Sequence, residues 1–181
     1  MRRLTDFLLP LVGVAYPFVV YFGMDKVSPP VFALVLGAIW LIRAPVLLRQ
    51  PGGRWMVGAA LAYCVLLALS GAEALLRWYP TLISALLLAV FGISLKYGKP
   101  MIERMARLRE PELSAAGVRY TRKVTWVWVG FFVFNASMSA ALTLWAPLSW
   151  WTLYNGLLVY FIMGVLFGGE WLLRQHLRRL A

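Results

Sequence analysis

Long apolar runs separated by short polar breaks dominate this sequence. The longest, from Val124 to Gly169, contains no charged side chain and is divided near its middle by Ala146, Pro147, Leu148 and Ser149. A hydrocarbon core about 30 Å thick is crossed by roughly 20 apolar residues in helical conformation, so this run is long enough for two crossings. A soluble domain must instead turn one face of each element toward water. The pattern therefore predicts an integral membrane protein.

Six apolar runs have spanning length. We expect each to be a helix, because an unpaired backbone polar group is too costly in lipid for an open strand. The sequence thus predicts an all-α fold, a transmembrane bundle of six helices that forms one domain over residues 1–181. The predicted helices cover residues 7–24, 31–48, 55–76, 78–95, 124–145 and 150–173.

The basic residues lie near the ends of the runs and predict their orientation. With six crossings, the basic groups at the N-terminus, around residues 43–54, in the loop 96–123 and after residue 173 all fall on one side. Of the 18 lysines and arginines, only Lys26 and Arg77 fall on the other. By the positive-inside rule, both termini are cytoplasmic. The first run is expected to be a retained helix rather than a signal peptide, because Asp6, Pro10 and Pro17 interrupt it.

The loop 96–123 contains helical spacing from Met101 to Glu110, with apolar residues on one side and Glu103, Arg104, Arg107 and Glu110 on the other. This pattern predicts a short amphipathic helix on the cytoplasmic surface, ended by Pro111. The net charge of +11 is concentrated beside the membrane, where anionic headgroups attract each basic residue by about 1 kcal/mol. We therefore expect anionic lipid, and no nucleic acid, as the partner of Lys96, Lys99, Arg104, Arg107, Arg109, Arg122 and Lys123.

Polar residues within spanning segments are the first candidates for function, because a charge at the centre of a membrane helix costs about 2.5–3.5 kcal/mol. Glu73 has Arg77 four residues later, and Glu170 has Arg174 at the same spacing. The favoured interpretation is an interfacial ion pair in each case, and the alternative is a proton- or substrate-linked carboxylate.

Asn135 is the most deeply placed polar residue and shares a helix face with Ser139. Their favoured role is an interhelical packing contact, and a ligand-facing position is the alternative. Gly156, Gly164 and Gly168 form a stripe of small residues that predicts close helix packing. Whether that stripe also forms a homo-oligomer interface stays open at this point.

Catalytic and cofactor motifs are sparse. The only histidine, His176, lies in a basic tail without the acidic or cysteine neighbours of a metal site, and Cys64 is the only cysteine. No phosphate-binding loop, nucleophile elbow or dinucleotide-binding glycine motif is present. We therefore expect a protein that is not an enzyme and needs no cofactor.

The segment Lys99-Pro100-Met101-Ile102-Glu103-Arg104-Met105 follows an apolar helix. It resembles the K-P-x-I-x-R-M signature of the intracellular septation protein A family, small polytopic inner-membrane proteins of Gram-negative bacteria. The similarity continues through Trp126, Phe131 and Phe132, the bend at residues 145–147 and residues 151–155, and it includes the start at residues 4–11. Two departures, Asn155 where the family often has lysine and the loop 110–120, favour a sister group of uncharacterised membrane proteins that accompany aryl-polyene or fatty-acid-like biosynthesis genes.

The septation family implies an accessory or scaffold role in envelope maintenance, with envelope proteins as partners. The sister group implies assistance to the assembly or export of a lipid-like product, so the second hypothesis is a carrier or flippase-like protein for an amphipathic lipid or polyene intermediate. A membrane-embedded enzyme is the least favoured alternative. None of these resemblances implies a defined catalytic residue.

Overall fold

The computed structural model describes residues 15–23, 26–50, 52–108 and 110–180, with side chains up to residue 175. These residues contain 87% helix and no strand, so the predicted all-α class is confirmed for them. Residues 7–14 and 24 of the first predicted helix lie outside the described part. The elements are α1 (15–23), α2 (Pro29–Leu47), α3 (Gly53–Ser70), α4 (Glu73–Lys96), α5 (Met101–Arg107), α6 (Ala115–Trp145), α7 (Leu148–Leu153), a π-helical turn (Tyr154–Leu158) and α8 (Val159–Leu180).

Five helical segments of the described chain are long and apolar enough to cross a membrane: α2, α3, α4, α6 and the continuous segment Leu148–Gln175. Between 11% and 33% of the residues in these segments are buried inside the protein. Large apolar side chains such as Ile42, Leu69 and Phe161 are at least 70% exposed. Such extensive apolar surface is incompatible with water but suits lipid. The chain is therefore a multi-pass membrane protein.

Several helix boundaries differ from those predicted by hydropathy, and local capping chemistry decides two of them. Helix α6 begins nine residues before residue 124, where the Ser114 hydroxyl accepts a hydrogen bond of 3.1 Å from the Gly117 amide. Helix α3 ends at Ser70, and Gly71 takes a left-handed conformation with φ of 60°. Helix α4 then begins at Glu73, so Arg77 lies one turn inside it rather than in a loop.

Pro147 separates α6 from α7 near the middle of the long uncharged run. A residue that precedes proline is pushed away from the helical region, and Ala146 has φ of −102° and ψ of 152°. The chain resumes as a helix at Leu148 and continues through the π-helical turn into α8. The predicted division of the run at residues 146–149 is thereby confirmed.

Besides a smaller cluster of Trp40, Val57 and Ala60 between α2 and α3, the described interior has two apolar clusters. One surrounds the completely buried Leu76 and Trp151, and the other surrounds Phe91, Phe131 and Phe132. Along α4 and α6, the stretch between these clusters carries buried polar residues, including Ser84, Asn135 and Ser139. Helices α4 and α6 form the largest contact of the bundle, and α2 packs mainly on α3. The best-packed helix pair therefore carries the polar residues.

Pro80 lies inside α4 and lacks the amide hydrogen that would bond to the Leu76 carbonyl. Leu76 is completely buried, so this carbonyl has no access to water. The buried Tyr16 hydroxyl of α1 donates to it at 2.8 Å. A tertiary hydrogen bond thus replaces the lost helical one, and it attaches α1 to α4.

We expect Tyr16→Phe to lower the free energy of unfolding by about 1 kcal/mol, since the Leu76 carbonyl loses its donor. In a Pro80→Ala background the residue-80 amide can supply that hydrogen bond, so Tyr16→Phe should cost much less. The measurement is a double-mutant cycle of unfolding in mixed micelles. Equal losses in both backgrounds would show that Tyr16 stabilises the fold in another way.

Candidate functional site

Asn135 lies at the centre of a buried hydrogen-bonded group that joins α4, α6 and the π-helical turn. Its Nδ2 donates to the Ser84 Oγ at 2.7 Å, and its Oδ1 accepts from the Tyr154 hydroxyl at 2.9 Å. The Ser84 hydroxyl in turn donates to the Pro80 carbonyl at 2.9 Å. Both ends of the Asn135 amide are therefore occupied by the protein itself. This geometry agrees with the predicted interhelical packing contact.

Ser139 lies one turn along α6 and extends this group. Its hydroxyl donates to the Asn155 Oδ1 at 2.7 Å, and the Asn155 Nδ2 donates to the Trp151 carbonyl at 2.9 Å. Tyr154 and Asn155 are consecutive and both buried. They lie in the π-helical turn, where one extra residue per turn changes side-chain directions relative to a regular α-helix. The turn thereby gives Asn135 and Ser139 each a partner on the following segment.

Arg77 does not form the predicted ion pair with Glu73. Its Nη2 donates instead to the carbonyls of Leu142 and Ala146, at 3.0 and 2.8 Å. These carbonyls lie at the C-terminal end of α6, where the helix dipole is negative. The Leu142 carbonyl also accepts from the Ala146 amide at 3.1 Å, whereas the Ala146 carbonyl lies beyond the last helical residue. Glu73 is exposed in the first turn of α4. The arginine therefore anchors α4 to the end of α6 and is unavailable as a partner for Glu73.

The backbone carbonyl of Arg77 also accepts hydrogen bonds from two other helices. It accepts from the Thr143 hydroxyl at 3.0 Å and from the Trp151 indole at 3.1 Å. One residue thus joins α4 to both α6 and α7. Sequence spacing alone gave no signal for this role, because all these partners are more than sixty positions away.

Glu170 and Arg174 form the predicted ion pair in the C-terminal half of α8, with a shortest distance of 2.5 Å. The Tyr120 hydroxyl of α6 also donates to the Glu170 Oε1, at 3.1 Å. Tyr120 belongs to the nine residues that hydropathy assigned to a loop. The carboxylate therefore links α6 and α8 in addition to forming the ion pair within α8.

Helix α5 is fixed against α4 and α6 by side chains that cap its first amides. The Ser94 Oγ accepts from the Met101 amide at 2.9 Å, and the Thr125 Oγ1 accepts from the Ile102 amide at 3.4 Å. Both acceptors are buried. The first turn of a helix has unpaired amides, so these contacts give α5 a defined position at the end of the bundle.

Glu103 departs from the predicted arrangement of α5. The helical spacing assigned it to the polar outer side, but the residue is buried, with only 4% of its surface exposed. Arg107 compensates its charge, since Nε lies 2.8 Å from Oε1. Met105 and Leu108, assigned to the apolar side, are 48% and 70% exposed. The reason is tertiary: α5 turns Met101 and Glu103 toward the bundle.

The basic residues predicted to lie in the loop 96–123 surround α5. Arg104 donates to the carbonyls of Lys99 and Tyr97, and Arg122 reaches the Leu95 carbonyl at the end of α4. Arg107 is tied to Glu103, and Arg109 lies outside the described residues. The exposed basic residues are Lys96, Lys99, Arg119, Arg122 and Lys123. We call this exposed set the basic surface.

The glycine stripe divides into two parts. A side chain at Gly156 would come within 2.7 Å of the Phe18 ring, so this glycine permits close approach of α1. At Gly164 and Gly168, no described atom of another helix lies within 4 Å of the position that a Cβ would occupy. These two glycines therefore do not pack another helix of the described chain, contrary to the expectation for a compact bundle. Cys64 is buried, as expected for a packing residue.

We expect Asn135→Leu to lower the free energy of unfolding by about 1–3 kcal/mol, because the Tyr154 hydroxyl loses its acceptor and the Ser84 hydroxyl loses a donor. Ser137→Leu is the matched control on the same helix, where the side chain is exposed. It should change stability by less than about 0.5 kcal/mol. The measurement is reversible unfolding in mixed micelles. Similar stabilities for the two variants would contradict the packing role of Asn135.

Within the described residues, no three histidine, cysteine or acidic side chains lie close enough together to hold a metal ion. The residues that sequence reasoning missed are Ser84, Tyr154, Tyr120 and the anchoring role of Arg77. The sequence offered one indication of the role of Tyr154, namely its position beside Asn155 in an aromatic, uncharged segment.

Comparison of the chain with protein-family models, with curated proteins and with solved structures found no match.

Proposed function

We propose that this protein is an accessory or scaffold factor for envelope processes in the bacterial inner membrane, without catalytic activity of its own. In this proposal the chain crosses the membrane six times and both termini are cytoplasmic. The described spanning helices and the one-sided distribution of basic residues support that topology. The basic surface then faces the cytoplasm, where anionic headgroups and envelope protein partners can contact it.

The observation that carries this proposal is the fixed position of α5 within the basic surface. A binding surface loses less entropy on association when its conformation is set beforehand. Buried Met101, the capped amides of residues 101 and 102 and the Glu103–Arg107 ion pair hold α5 in place. Met105 and Leu108 stay exposed beside the basic residues. Exposed apolar side chains within a basic surface suit either lipid contact or a protein partner.

Contact with anionic lipid explains the positive charge of this surface, but it does not explain the exposed apolar residues in and after α5. Lys96, Lys99 and Lys123 lie close to the ends of spanning helices, where headgroups are present. Leu108 follows α5 and is among the most exposed apolar residues. We assign Met105 and Leu108 to the contact with an envelope protein, and the lysines to the lipid.

The carrier alternative has less support. It requires a polar path whose groups can bind a passing ligand. The amide of Asn135 and the hydroxyl of Ser139 bond instead to Ser84, Tyr154 and Asn155. A ligand would have to replace those hydrogen bonds before it could use the same groups.

The topology can be measured with single cysteines, because the native Cys64 is buried and should react slowly. Lys26→Cys and Glu73→Cys place thiols at exposed positions of one predicted face, and Lys99→Cys places one at the other. A membrane-impermeant maleimide should label the first two in intact spheroplasts. It should label Lys99→Cys only after the membrane is opened. Labelling of residue 99 in intact spheroplasts would invert the orientation.

The scaffold role predicts a discrete protein neighbour at α5 in living cells. A photo-crosslinking amino acid at Leu108 should give a defined protein adduct, and the same group at Leu69 should give lipid adducts only. Leu69 is the matched control because it is also highly exposed but lies near the end of α3. Met105→Ala should weaken the protein adduct several-fold, because the exposed Met105 belongs to the same contact as Leu108. Lipid adducts alone at position 108 would contradict the proposal.

A further inference from the structure

A groove runs between α6 and α8 on the surface of the bundle, with a volume of about 210 Å³. Tyr120, Val124, Val127 and Trp128 form one wall, and the other wall comprises Val165, Leu166, Gly169, Glu170 and Leu173. Each wall covers eight residue steps along its helix, which corresponds to about 12 Å. The walls are apolar over most of this length.

The charged and hydroxyl groups of the groove lie at one end. Tyr120 and Glu170 lie there, outside or at the edge of the uncharged run, and Trp128 and Val165 lie at the other end, within it. The groove therefore changes from polar to apolar in the direction of the membrane centre. This order of polarity matches that of an amphiphile whose headgroup lies at the membrane interface and whose chain points toward the membrane centre.

The polar end of the groove has both a hydrogen-bond acceptor and a hydrogen-bond donor that no described residue uses. Three donors converge on the Glu170 Oε1: the Tyr120 hydroxyl at 3.1 Å, the Arg174 Nε at 2.9 Å and the Arg174 Nη2 at 2.5 Å. The other carboxylate oxygen, Oε2, accepts from no described residue, and the Arg174 Nη1 donates to none. A carboxylate accepts about four hydrogen bonds and a guanidinium donates five. One acceptor and one donor of the same ion pair therefore stay available, with the Glu170 side chain 20% and the Arg174 side chain 46% exposed.

We propose that this groove binds a glycerophospholipid whose headgroup carries both a primary ammonium and a phosphate, of the phosphatidylethanolamine type. The ammonium donates to the Glu170 Oε2, the phosphate accepts from the Arg174 Nη1, and an acyl chain occupies the space between Val124, Val127 and Leu166. A purely anionic headgroup fits less well, because Glu170 already neutralises Arg174 and would repel a second anion. A quaternary ammonium lacks the hydrogen that Oε2 can accept.

Two adjacent glycines of α8 offer a matched pair of variants. Gly169 lines the groove and Gly168 does not, and in both cases no described atom of another helix lies within 4 Å of an added Cβ. Gly169→Leu should fill the groove without disturbing the bundle, whereas Gly168→Leu should add a side chain elsewhere on the same helix turn. Glu170→Gln is a second variant that preserves shape and removes the charge facing the ammonium.

The experiment is native mass spectrometry of the protein from nanodiscs that contain equal parts of phosphatidylethanolamine, phosphatidylcholine and phosphatidylglycerol. The wild type should retain about one phosphatidylethanolamine above the bulk ratio. Gly169→Leu should reduce that retention roughly tenfold, because a filled groove has no space for an acyl chain. Gly168→Leu should retain it at the wild-type level. Glu170→Gln should lose the preference over phosphatidylcholine.

Three results would overturn the proposal. Retention at the bulk ratio in the wild type would mean that the groove holds only exchanging membrane lipid. Preferred retention of phosphatidylglycerol would exclude the assigned headgroup chemistry. Equal retention by both glycine variants would place the lipid elsewhere. Should Gly169→Leu fail to fold, as judged by its thermal unfolding, Glu170→Gln still decides between these outcomes. The scaffold proposal is tested by protein adducts at position 108, so the two can fail separately.

Discussion

The interior of this protein depends on satisfying polar groups where no water is available. Pro80 leaves a carbonyl of α4 without its helical donor, and Tyr16 supplies the replacement. The Ala146 carbonyl lies beyond the last residue of α6, and Arg77 donates to it and to the Leu142 carbonyl. Lipid offers no hydrophobic drive for helices to associate. Such specific contacts, together with close packing, therefore determine which helices are neighbours and how they are oriented.

The polar residues at the centre and the apolar clusters on each side of it have complementary roles. Aromatic and aliphatic packing around Trp151 and around Phe132 supplies contact area. The hydrogen bonds of Asn135 and Ser139 add directional requirements that apolar contacts lack. A sliding displacement of α6 along α4 would break the Asn135–Ser84 bond while it left much of the apolar contact intact. The polar group thus specifies the register of the pair.

Sequence reasoning reached the helical class and the membrane location, because both follow from the distribution of apolar and charged residues. It misplaced the limits of α3 and α6, because Gly71 and Ser114 end or begin helices through local geometry that hydropathy does not measure. It found the Glu170–Arg174 pair, which is local, and missed Tyr120 as its third member. It assigned Arg77 to Glu73 because spacing detects only local partners. Glu103 shows the same limit, since tertiary packing decided which face of α5 is buried.

The π-helical turn at Tyr154–Leu158 has a consequence for the far end of α8. A regular α-helix rotates by about 100° per residue, so the extra residue of a π-turn shifts the angular position of everything that follows it. Restoring a regular α-helical turn would swing Glu170 around the axis of α8 and away from Tyr120. The rotational setting of α8 at Glu170 is thus fixed about three helical turns away, in the middle of the bundle, by Tyr154 and Asn155.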